Sequence, residues 1–153
     1  MDNILLLSLI SAIGAIGFSV LFNVRGRQLW WIAVGAALGW IVYSLVLHYN
    51  KTVFMAVFIA TAFIVVLGEI LARIIKVPII MLIVPMLIPL IPGGTLYYTM
   101  YNLIIENNAL FIENLRSLLV QAVAIAVGIT VSTAVMGTFF RYYYKMLQKI
   151  KSK

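Results

Sequence analysis

The densest chemistry in this chain is backbone chemistry. Pro78, Pro85, Pro89, Pro92, Gly93 and Gly94 crowd one short apolar stretch, and Thr95 follows. Each interior proline removes an N–H donor and kinks or breaks a helix. A helix that restarts near Gly93 would present free amides and the positive end of its dipole. Such an end suits an anionic group, for example a substrate carboxylate. Glycine there would let a ligand approach the backbone without a side chain in the way. Pro92, Gly93, Gly94 and Thr95 are therefore the candidate substrate-binding residues. The plain alternative is a packed helix that is only kinked.

Glu69 is the one acid placed inside an apolar crossing, and an intramembrane carboxylate is by default a proton carrier, cation ligand or counter-ion. Arg73 lies four residues on, on the same helix face, so a structural ion pair is the competing role. Asn23, Asn102 and Gln121 could line a polar pathway, although polar side chains in such places often only bridge helices. His48 falls at the edge of a crossing, where it would meet the interface. The chain has no cysteine and a single histidine. No metal site, no cofactor and no nucleophile–base set is expected, so an enzyme is the weakest reading.

These residues need apolar elements to hold them. Hydrophobic residues make up 65% of the chain and charged residues 10%, far from the balance of a soluble domain, so lipid is the implied solvent. About 20 apolar residues cross a bilayer as a helix. The sequence predicts an all-α integral membrane protein and one transmembrane domain over 1–153. It has about five helices: 4–24, 29–48, 53–72, 77–105 broken near 92–94, and 117–140. A re-entrant pair is the alternative for 77–105. The start, Met1-Asp2-Asn3, lacks the basic region of a signal peptide and reads as the lead into a retained first helix. Residues 106–114 read as a polar loop and 141–153 as a basic tail. Gly35-x-x-x-Gly39 fits close helix packing, and Gly14, Gly17, Gly128 and Ser132 add small surfaces.

The net charge of +7 could suggest nucleic acid, but the basic residues sit at the ends of apolar runs, as orientation signals do. With the N-terminus outside, the cytoplasmic side receives Arg25, Arg27, Arg73, Lys76, Arg141, Lys145, Lys149, Lys151 and Lys153. The outer side receives only Lys51 and Arg116. That asymmetry favours an odd number of crossings and a cytoplasmic C-terminus. The stripe Arg141, Lys145, Lys149 suits anionic lipid headgroups.

Three motifs together carry a resemblance. The first is Gly17-Phe18-x-x-Leu21-Phe22-Asn23-Val24, followed by Gly35-x-x-x-Gly39-Trp40. The second is Gly68-Glu69-x-Leu71-Ala72-Arg73-x-x-Lys76-Val77-Pro78. The third is Ile88-Pro89-Leu90-Ile91-Pro92-Gly93-Gly94-x-Leu96-Tyr97-x-x-Met100. Over nearly its whole length the chain resembles the shorter, C-terminal-type module of the threonine/serine exporter family. The resemblance implies half of a secondary exporter for threonine- or serine-like amino acids or small dicarboxylates, in a bacterial-type cell membrane. It also implies a larger partner subunit as a separate chain, in a hetero-oligomer. Drive by the proton gradient is expected, with Glu69 a candidate for coupling. The rivals are a structural or assembly subunit without its own site, and a small oligomeric channel.

Overall fold

A computed structural model describes residues 3–151 of the chain. Six α-helices follow one another: α1 (Ile4–Leu21), α2 (Gln28–Asn50), α3 (Val53–Ile75), α4 (Ile80–Leu87), α5 (Gly93–Ile104) and α6 (Asn108–Lys151). A 3-10 turn, Ile88–Leu90, extends α4 toward the break. Four helices are long and apolar enough to cross a membrane, and α4 with its turn forms with α5 a pair bent by 54° that fits one broken span or a re-entrant loop. The fold is all-helical, as the sequence implies, with its bend beside Pro-Gly-Gly.

α1 shows which solvent this fold answers to. Its buried face is Ser8, Ser11, Ala15 and Ser19, while Leu5, Leu9 and Ile13 point outward. In water that arrangement would be inverted. Each serine hydroxyl donates to a carbonyl of its own helix: Ser8 to Leu5, Ser11 to Leu7 and Ser19 to Ala15. No hydroxyl in this seam is left wanting, as a lipid-embedded interface requires.

α2 packs between α1 and α3, α4 touches all three, and α6 packs against both α3 and α5. The close approaches are made at glycine. A Cβ at Gly39 would collide with the Ile64 side chain, one at Gly68 would collide with Ile83 Cγ2, and one at Gly128 would meet Thr61 Cβ at 2.9 Å. Gly35 receives Met86 in the same way. Glycine therefore supplies pits into which neighbouring helices set side chains. Ile83 Cγ2 cannot swing clear without turning its whole β-branched side chain. Gly68→Ala is therefore expected to destabilise the protein by about 1–3 kcal/mol through overpacking. Gly14→Ala, where a Cβ meets nothing within 4 Å, is the matched control and should be neutral or slightly stabilising. Thermal unfolding in detergent checks both, and equal midpoints would refute this packing account.

Helix ends explain the turns. After α1, Asn23 takes a left-handed φ of 58°, its N–H donates to Val20 O, and Val24 N–H donates to Ser19 O. Glu106 repeats the arrangement after α5, with Glu106 N–H to Leu103 O and Asn107 N–H to Asn102 O. Both are the paired closing bonds of a Schellman end. The first crossing thus stops at Leu21 rather than Val24, and Asn23 closes it.

Two expectations are corrected. The polar loop expected over 106–114 is only the turn before Asn108, where α6 begins. Asn107 Oδ1 accepts the Leu110 N–H at 3.3 Å, the bond of a helix N-cap. The tail expected after 140 continues α6 as far as Lys151. With no proline or glycine between Thr138 and Lys151, nothing stops the helix there. At ~66 Å this helix is about twice the hydrocarbon thickness. The stripe expected to meet lipid includes Lys145 and Lys149, whose side chains lie outside the described residues, as do Ser152 and Lys153 altogether.

Candidate substrate site at the helix break

Proline sets the break. Pro92 has no N–H to offer the carbonyls behind it. The Gly93 N–H turns back to Ile91 O at 2.7 Å, and Leu96 N–H to Pro92 O at 2.9 Å begins α5. The carbonyls of Pro89 and Leu90 are thereby left without a helical donor. On the other side, Gly94 and Thr95 lie in the first turn of α5, where amides have no helical acceptor. Pro92 is the N-cap residue and no side chain caps the helix. One short segment therefore presents free acceptors and free donors side by side.

A cavity of about 180 Å³ sits on this segment, lined by Pro89–Thr95 together with Trp40, Tyr43, Val57 and Gln121. All four predicted substrate-binding residues, Pro92, Gly93, Gly94 and Thr95, lie in its wall. Gln121 joins them from α6: its Nε2 donates to Thr95 Oγ1 at 3.3 Å and to Ser117 Oγ at 3.2 Å. As acceptor in that bond, the Thr95 hydroxyl keeps its own proton to donate. The Trp40 indole N–H is buried without an acceptor, and its ring lies 5.2 Å from that of Tyr43. The walls carry no charged side chain. A ligand's charges would be met by dipoles alone.

Packing within the fold does not call for glycine at Gly93 or Gly94. A Cβ at Gly93 or Gly94 would meet nothing within 4 Å, and neither residue has a left-handed φ. No part of the protein crowds them. Both contribute only backbone to the cavity wall.

The other candidate residues are placed elsewhere. Asn102 is buried on the same helix, with its Nδ2 donating to Tyr98 O at 2.8 Å, and it does not line the cavity. Asn23 is exposed at the end of α1. His48 is exposed near the end of α2. Glu69 is separated from Val57, the cavity residue on its own helix, by twelve positions, or ~18 Å of helix. Glu69 is buried and takes a hydrogen bond and ion pair from Arg73 Nη1. The same nitrogen donates to the Glu69 carbonyl at 2.6 Å, and the guanidinium lies 3.7 Å from the centre of the Phe140 ring on α6. The contact with Phe140 ties α3 to α6, while the other two fix Arg73 on its own helix.

Residues 7–135 match the family described as "Threonine/Serine exporter, ThrE". The chain belongs to the threonine/serine exporter family. That family is one of transporters, and the chain is accordingly a multi-pass membrane protein. It is also 36% identical over 96 residues to an uncharacterized protein of Haemophilus influenzae, a match covering 63% of this chain. The chain covers 32% of that relative's length. No solved structure matches. The family match spans the break, the cavity and the Glu69–Arg73 pair. Trp40, Tyr43 and Val57, from α2 and α3, and Pro89, Leu90 and Ile91 beside the break are cavity residues that the sequence did not single out as a site. Trp40 was visible only as the residue after Gly35-x-x-x-Gly39, and nothing local marks Tyr43 or Val57.

Proposed function

We propose that this chain is the membrane subunit of a secondary exporter for small zwitterionic amino acids of the threonine and serine type. The observation that carries this reading is the double character of the break within an exporter-family fold. The Gly94 and Thr95 amides suit a carboxylate, and the Pro89 and Leu90 carbonyls suit an ammonium group. The cavity volume of about 180 Å³ fits a small solute, being below the ~300 Å³ where drug-sized pockets begin. The Thr95 and Gln121 side chains are available for a substrate hydroxyl.

The proposal includes a larger partner subunit and an orientation. Tyr97, Tyr101 and Ile104 of α5 and Val123, Val127, Val131 and Val135 of α6 are exposed, so both helices offer apolar faces to lipid or to another membrane chain. The Haemophilus relative extends well beyond the stretch it shares with this chain, which is consistent with a module that works beside more protein. The positive-inside rule supports a cytoplasmic position for the end holding Arg25, Arg27, Arg73 and Lys76. The proton gradient is the proposed drive. The Glu69 carboxylate is already engaged with Arg73, so a structural role is proposed for that pair.

Efflux of labelled threonine from cells expressing this chain with its larger partner tests the reading. Saturable efflux is expected, inhibited by serine and unaffected by threoninol, which lacks the carboxylate. Equal inhibition by threoninol would remove the amide site. Non-saturating flux would point to a channel. Full efflux from vesicles holding this chain alone would remove the partner.

A further inference from the structure

A second cavity lies at the basic end of the bundle, between the start of α2 and the end of α3. It measures about 320 Å³ and is lined by Arg27, Gln28, Trp31, Ile74 and Ile75. We propose that it binds the phosphate of an anionic phospholipid headgroup, with an acyl chain along Ile74 and Ile75. This site is separate from the helix break and does not depend on the transport reading.

Charge is the first reason. Arg25, Arg27, Arg73, Lys76 and Arg141 gather at this end, and the acid among them, Glu69, is held by Arg73. Glu106 and Glu113 lie at the opposite end, around the turn from α5 into α6. Among the described residues, Arg27 therefore has no carboxylate of its own chain. A guanidinium is permanently charged, and its planar fork matches two phosphate oxygens. Chemistry of the walls is the second reason. The Trp31 indole N–H is buried without an acceptor, which is costly, and Trp31 borders this cavity. Gln28 adds an amide donor. Ile74 is among the more exposed large apolar side chains, as suits a residue facing acyl chains. Basic pockets between membrane helices at this level are known takers of lipid headgroups. A free phosphate ion would use Arg27 and Gln28 but gain nothing from Ile74 and Ile75.

The test uses the full chain drawn from membranes into lipid discs, with bound lipid counted by native mass spectrometry. Discs contain phosphatidylcholine with a limiting share of phosphatidylglycerol. Retention of phosphatidylglycerol over phosphatidylcholine is expected. Arg27→Gln should weaken that preference about tenfold, the order of one charge-assisted contact. Trp31→Phe, which keeps the ring and removes the N–H, should weaken it less. Arg25→Gln, close by in the chain but outside the cavity, should leave it nearly unchanged. Equal losses for Arg25→Gln and Arg27→Gln would reduce the effect to general attraction and overturn the site. So would equal retention of the two lipids. If inorganic phosphate displaces the lipid at millimolar concentration, the acyl-chain part of the proposal fails.

Discussion

Gly94→Val is expected to abolish threonine efflux while leaving insertion, folding and partner assembly intact. The separation of effects is the informative part. A Cβ at position 94 meets no protein atom within 4 Å, so the fold leaves open space where the side chain begins. The position lies in the first turn of α5, where a β-branched residue disturbs no preceding turn. The cavity, however, has Gly94 in its wall, and a valine there would stand between a ligand and the Gly94 and Thr95 amides. Holding groups displaced by about an ångström cost on the order of a hundredfold, and a loss of at least that size is expected. Gly93→Val should act in the same direction. Pro92→Ala should be milder. It restores an N–H that can reach back toward the carbonyls of the 3-10 turn, but it leaves both glycines open. Paired measurements of efflux and of detergent-extracted complex decide the matter. Unchanged substrate affinity in a well-inserted Gly94→Val protein would remove the site. A variant that fails to insert would instead show that the glycine is a packing residue, against the open space around it.

Hydropathy marked the crossings because lipid thickness leaves a direct signature: some twenty residues without a charge. It could not mark the length of α6. Glu113, Arg116 and Arg141 bracket the apolar run, whereas the helix runs from Asn108 to Lys151 on either side of them. Its start was legible in principle, since Asn107 is a good cap residue, but an asparagine cap inside a polar stretch looks the same as a loop. The break was legible because Pro92 cannot donate and Gly93-Gly94 weakens any helix, both local properties. Its cavity was legible only in half. Pro92 to Thr95 are contiguous, but Trp40, Tyr43 and Val57 arrive by packing, and that packing rests on what Gly35 and Gly39 admit. Gln121 stood out as a polar residue in an apolar helix, yet only the fold pairs it with Thr95. Asn23 shows the opposite hazard. A polar residue after a membrane helix suggests a pathway, while its left-handed φ makes it a helix end.

The Glu69–Arg73 pair should behave as a clasp, with the double substitution recovering stability that a single one loses. Arg73 is held by the Glu69 carboxylate, by the Glu69 carbonyl and by the face of Phe140. Removing only the arginine leaves a buried carboxylate with no counter-charge. Breaking a fully buried pair costs about 3–5 kcal/mol, and the Arg73 side chain is 35% exposed, which lets water screen the loss. Arg73→Leu is therefore expected to destabilise by about 2–3 kcal/mol. Glu69→Leu with Arg73→Leu removes both charges, and it should recover most of that loss because apolar pairs often replace ion pairs at little cost. The cation over Phe140 adds a smaller share, about 1 kcal/mol, which the double variant does not recover. Thermal unfolding of the single and double variants measures the coupling directly. Additive losses would show that the two residues do not act as a pair. Transport supplies the separate arm. A proton carrier would have to release Arg73 and take a proton in every cycle, so Glu69→Gln would stop gradient-driven efflux at every pH. A clasp keeps one hydrogen bond from Arg73 to the glutamine amide oxygen, and efflux should then follow the wild-type pH profile. Loss of gradient-driven efflux in a Glu69→Gln protein of normal stability would assign the carboxylate to coupling and reject the clasp as its whole role.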